Sequence, residues 1–212
     1  MIYRFKSFAD FHFKLELDTL RELYTTQEEH NEDLLSSWEK FIEENSKDLN
    51  DVERQEFFEF HEDEYHKYTK DHPQLIRKTI FLQTYFTFES YLNSLCNHHK
   101  KRLGTGLSYK DMKGKGIERA KLYLRKVCHV PAEPFSTNEW KRIIDYNTLR
   151  NAFVHNNGVV DKSKLKAESQ GLILTKSSRK KDSTLCSIEL QKDFIDEVFK
   201  TMRVFGNKLE GQ

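Results

Sequence analysis

A chain of 212 residues that is 37% hydrophobic, with 16 Phe and nine Tyr, carries enough apolar surface for a sizeable core, which excludes a disordered or low-complexity polypeptide. Eight Gly and three Pro beside 33% charged residues are too few turn formers for a many-stranded β fold, so the expected class is mainly α, built from long helices with solvated faces. The net charge of +1 conceals an asymmetry, because residues 1–72 carry roughly −11 and residues 73–212 roughly +12.

This two-sidedness favours a polyanion such as RNA at the C-terminal two-thirds and requires the acidic part either to fold away from it or to cover it. Ordinary solvated helix faces would produce the same pattern. Cys96, Cys128 and Cys186 are widely spaced and form no CxxC, so reduced thiols in a cytoplasmic protein are expected rather than a disulfide frame or a zinc site. The start MIYRFKSFADFHF lacks the apolar run of a signal peptide, and no stretch approaches about 18 charge-free apolar residues, so no membrane contact is expected.

Residues 1–72 read as two or three acidic helices packed on the core. Phe8, Phe11 and Leu15 form one stripe, Phe13, Leu17, Leu20 and Tyr24 a neighbouring one, and Leu34, Trp38, Phe41 and Ile42 repeat the pattern. From about Val52 to Tyr68 the apolar face is aromatic and the outer face acidic. His72-Pro73 then interrupts the helical pattern and is the best candidate for a domain boundary. Residues 75–96 look most buried and predict a central helix, in which Glu89 calls for a partner, for instance a cation from another helix.

Beyond Cys96 a polar, basic, Gly-punctuated segment reads as a helix end and an exposed loop, making Lys100, Lys101, Arg102, Lys113 and Lys115 the candidate RNA-binding side chains. Its glycines do not form a phosphate-cradling P-loop, because no GK[ST] follows at the required spacing. Residues 116–127 predict a short amphipathic helix through Ile117, Ala120, Leu122 and Leu124. Ser136 and Glu139 offer a capping box for the next helix, whose apolar stripe is Trp140, Ile143, Ile144 and Val154. Asn147, Asn151 and His155 form a polar column on a neighbouring face, and Asn157 or Gly158 supplies a left-handed stop. A β-hairpin over about 171–190, turning through KSSRKKDS, and a final helix over about 191–207 complete the chain.

The stretch TLRNAFVHNNG, residues 148–158, places an always-charged guanidinium five residues before an imidazole whose ordinary pKa is about 6.5. On one helix Arg150 and His155 lie about 140° apart, with Asn151 between them, so they line a broad surface rather than a pocket. Two copies facing across a twofold axis would close that surface into a cleft, which predicts a composite site in a homodimer. RNA cleavage by its own 2′-hydroxyl needs a base, an acid and donors for the developing phosphorane charge. His155 suits the base or acid, Arg150 the phosphate clamp, and Asn151 the orientation of either.

These residues resemble the Arg-polar-xxx-His signature of the HEPN superfamily. KGIERAKLYL and a Trp-containing helix leading into LRNAFVHNNG strengthen the likeness, which covers about residues 75–160. The resemblance implies a HEPN-type helical bundle that dimerises and a metal-independent endoribonuclease without cofactor. Arg150, Asn151 and His155 would be its catalytic residues, with Glu89 and Asn147 as orienting ones. It also implies a toxin or antiphage defence role and leaves room for a regulatory protein partner. The position two after the His, commonly Tyr in members silenced by a nucleotidyltransferase, is Asn157 here, so that mode of control is not expected. The alternative is a catalytically silent HEPN-like dimer that binds RNA, a nucleotide or a protein. His61, His66, His98 and His99 lack ordinary metal-ligand geometry and read as surface or interface residues.

Overall fold

A computed structural model describes residues 7–177 and 183–210 and is mainly α, with a small antiparallel sheet before the C-terminal helix. The helices are α1 (Phe8–Ser46), α2 (Asp51–Phe60), α3 (Glu62–His66), α4 (His72–Leu103), α5 (Gly116–Lys126), α6 (Asn138–His155) and α7 (Lys192–Glu210). The strands are β1 (Val159–Asp161), β2 (Leu172–Lys176) and β3 (Leu185–Leu190). The predicted hairpin is β2 paired with β3, Leu172 opposite Leu190 and Lys176 opposite Cys186. Most of its turn, residues 178–182, lies outside the described residues, as does the start, residues 1–6. Unanticipated is β1, which pairs with the other edge of β3 and gives the order β1-β3-β2.

The expected two or three helices of the N-terminal region are α1, α2 and α3. Its first helix is one unbroken rod of 39 residues, capped by the Ser7 side chain on the Asp10 amide. At His72-Pro73 the α-helical pattern changes: a π-helical turn, Lys67–Asp71, links α3 to α4, which begins at His72 and holds Pro73 in its first turn, a position that tolerates the missing N–H. The two apolar stripes of α1 also differ in fate. Phe13, Leu17 and Tyr24 are buried, whereas Phe8, Phe11 and Leu15 are exposed.

α1 runs antiparallel to α4, with Phe13 stacked on Tyr91 at 4.3 Å near one end and Glu28 paired with Arg77 nearer the other. α4 is the core's axis: Phe81, Phe88 and Leu92 are fully buried among residues of α1, α5, α6 and α7. Among the described residues Glu28, Glu32 and Asp18 of α1 pair with Arg77 of α4 and with Lys192 and Arg203 of α7, while Arg21 of α1 pairs with Asp196 of α7; none of the three carboxylates pairs with Arg150 or the expected RNA-binding cations.

Candidate functional site

α6 carries the polar column, and its start is set differently from the expected box. Thr137 is the cap, its hydroxyl accepting from the Trp140 amide at 3.4 Å, while Ser136 donates to the Ala132 carbonyl and Glu139 reaches Lys208. Tyr146, Leu149 and Ala152 are buried and fix the helix against α4 and α7, with Tyr146 edge-on to both Phe81 and Phe194. Val154, expected on the apolar stripe, is instead 45% exposed. Asp145, also buried, accepts from the Lys166 and Ala167 amides and ties the β1–β2 connection to the helix. Burial pushes its carboxyl up, against those two amides.

With α6 anchored, Asn147 at the head of the column meets α4. The Tyr85 hydroxyl donates to Asn147 Oδ1 at 2.8 Å. Burial, reinforced by the Glu89 charge and opposed by Arg150, holds that hydroxyl far above its ordinary pKa, so it remains a donor. One turn along α6, the Arg150 guanidinium sits over the Phe86 ring, 5.1 Å from its centroid, and donates from Nη1 to Asn151 Oδ1 at 2.9 Å. Its Nε is buried without an acceptor. Arg150 is thus held on an aromatic platform with donor capacity unspent.

His155 is the last residue of α6 and is exposed; it enters no hydrogen bond, ion pair or ring contact among the described residues. The chain then leaves sharply, because Asn157 and Gly158 both take positive φ, 50° and 75°, as the left-handed stop requires. The amides of Asn156 and Gly158 both close on the Ala152 carbonyl.

Glu89 differs from expectation. It is half-buried with no cation partner among the described residues, and it lies beside the start of α5, where a Cβ on Gly116 would come within 3.2 Å of its Oε1. Its carboxylate can stay unpaired because it retains contact with water. Lys113 and Lys115 occupy the exposed loop entering α5, on the Glu89 side of the site, and Arg119 pins that loop by donating to the Gly114 carbonyl.

Lys100, Lys101 and Arg102 lie in the last turn of α4. Phe86 is 14 residues earlier, so the cluster starts about 21 Å along the helix from Arg150's platform. Sequence reasoning missed the cations at the other end. Lys70 and Lys78 line a cleft of about 490 Å³ with Leu75, Phe153 and β-strand residues, and the Lys78 ammonium stands 5.8 Å over the Phe153 ring. Among the described residues no group of three or more His, Cys, Asp and Glu side chains is arranged to hold a metal ion. No helix among them is long and apolar enough to cross a membrane. Comparison with protein-family models, with curated proteins and with solved structures gives no match.

Proposed function

We propose that the protein is a HEPN-type endoribonuclease that cleaves RNA by 2′-hydroxyl transesterification in a cleft shared by two copies. The observation that carries this reading is the placement of Arg150: a guanidinium fixed by Phe86 and Asn151, with unspent donors, on the same helix as a solvent-facing His155. Phe86, Val154 and Leu75 are 38%, 45% and 63% exposed, which provides apolar surface around the column for a second copy to cover. In that cleft one His155 takes the 2′-hydroxyl proton as its oxygen attacks phosphorus. The other His155 protonates the departing 5′-oxygen, and Arg150 donates to the non-bridging oxygens. Three free buried cysteines suit a reducing compartment, and the proposed setting is the cytoplasm, in a toxin or antiphage defence role.

His155's lack of an orienting partner favours a second reading, a catalytically silent dimer that holds RNA, a nucleotide or a protein without cutting. Incubating the full chain with unstructured RNA in EDTA separates the two. The nuclease produces 2′,3′-cyclic phosphate ends, and His155→Ala lowers the rate by at least about 10²-fold. Equal cleavage by both proteins removes His155 from the chemistry. RNA binding without cleavage by the parent assigns the silent module.

A further inference from the structure

Beyond the contact between Asn31 and the Tyr68 carbonyl, α1 and the α2–α3 segment leave the main core and form a projecting arm. Trp38 and Ile42 are buried there but stand apart from the core cluster, and α2 and α3 bury none of their residues. A short helix gains its stability from burying its apolar face, and here Phe57 packs on Phe41 while Phe58 and Phe60 remain exposed.

Between the two sides of the arm runs a groove of about 1110 Å³. Trp38, Ile42, Phe58 and Tyr65 supply its apolar surface, and Glu39, Glu43, Glu59 and Glu62 also line it. Lys47 and Arg54 lie at one end, where Arg54 is committed to the Ser46 carbonyl at 3.2 Å. Residues 39–64 hold eleven Asp and Glu against three Lys and Arg. Trp38 is 9% exposed, stacks obliquely on Tyr65 at 5.3 Å, and has an indole N–H buried without an acceptor. Buried indole donors ordinarily find a partner, so this one marks a contact the isolated chain does not make.

We propose that this groove is a docking site for a basic amphipathic helix of another protein. Its apolar side chains at i and i+4 enter between Phe58, Tyr65 and Ile42, its Lys and Arg meet the glutamates, and an acceptor on it takes the Trp38 N–H. From Trp38 to Lys47 the groove wall rises about 14 Å, room for about nine helical residues. A nucleic acid is repelled by the carboxylates, and a second copy docked through a twofold axis would set acidic rim against acidic rim. The proposal stands independently of the nuclease reading.

The test uses the full chain and a fluorescein-labelled peptide of Leu and Lys at helical amphipathic spacing, followed by anisotropy. A scrambled peptide of identical composition and a Leu/Glu peptide are controls. The amphipathic Leu/Lys peptide binds at least tenfold tighter than either control. Glu43→Lys and Phe58→Ser, both at exposed positions, each weaken it at least fivefold without lowering Tm, and Trp38→Phe, which keeps an aromatic six-membered ring and removes the donor, also weakens it. Equal affinity for the scrambled peptide, or variants that bind like the parent, overturn the proposal. So does a dimer in sedimentation that Phe58→Ser dissolves, which would give the groove to a second copy.

Discussion

Arg150 rests on Phe86: the guanidinium carbon lies 5.1 Å from the ring centroid, so a residue of α4 positions the cation that α6 presents. An aromatic face of this kind holds the planar fork of Arg without using its donors, which a Lys cannot reproduce. Phe86→Ala is expected to lower single-turnover RNA cleavage by about tenfold, and Arg150→Lys by about 10²-fold, with little change in Tm. Phe86 is 38% exposed, so its removal leaves the core intact. A Phe86→Ala protein that cleaves at the parental rate would show that the platform has no part in the chemistry.

Helix class, the β2–β3 hairpin and the stop at Asn157 and Gly158 were legible because each depends on local pattern. What was not legible depends on distant partners. Ser136 and Glu139 have the spacing of a capping box, but Lys208, from α7, takes the Glu139 carboxylate, and Thr137 caps instead. β1 is three residues long, too short to show a period, and is a strand because β3 has a free edge beside it. Within the site, Arg150, Asn151 and His155 stood out by residue type. Phe86 carries no such signal, because its place beside Arg150 follows from how α6 crosses α4. The basic run at Lys100–Arg102 stood out by charge, yet the rise of α4 carries it away from the column.

Gly116 begins α5 with φ of +52°, a conformation that costs an L-residue about 1–2 kcal/mol. Gly116→Ala is expected to destabilise the protein by about that much in urea unfolding, and Gly116→Asn by less, because Asn tolerates the left-handed region. The neighbouring Glu89 oxygen, 3.2 Å from the added Cβ, belongs to a side chain that can swing away. Adding Glu89→Ala to Gly116→Ala should therefore recover little stability. Full recovery would place the cost in the contact rather than in the backbone.

Glu28 and Arg77 form a nearly buried bidentate pair at 2.7 and 2.9 Å, and Arg77 also donates to the Leu190 carbonyl, joining α1, α4 and β3. Arg77→Met leaves a buried carboxylate without its cation and should cost about 3–5 kcal/mol. Glu28→Leu combined with Arg77→Met should recover much of that loss, since the uncompensated charge is then gone. Urea midpoints of the parent, the two single variants and the double variant complete the cycle. A double variant no more stable than Arg77→Met would show that packing, not the stranded charge, sets the cost.

Lys208 holds Glu139 at 2.7 Å across α7 and the first turn of α6. That hydrogen bond pulls the Glu139 carboxyl below its ordinary pKa against a smaller opposing effect of burial, with its own and the Thr137 contacts assisting. A depressed folded pKa means that the folded protein binds the proton less readily than the unfolded chain. The stabilisation is therefore complete above the unfolded value of about 4.3 and disappears as pH falls through the folded value. Because Lys208 is 40% exposed, solvent and salt limit the contribution to less than about 1 kcal/mol. Glu139→Gln should thus be less stable than the parent at pH 7, and the difference should close below about pH 4 and shrink in high salt. A difference that stays constant from neutral to acid pH would mean that the side chain stabilises the helix junction through packing rather than through its charge.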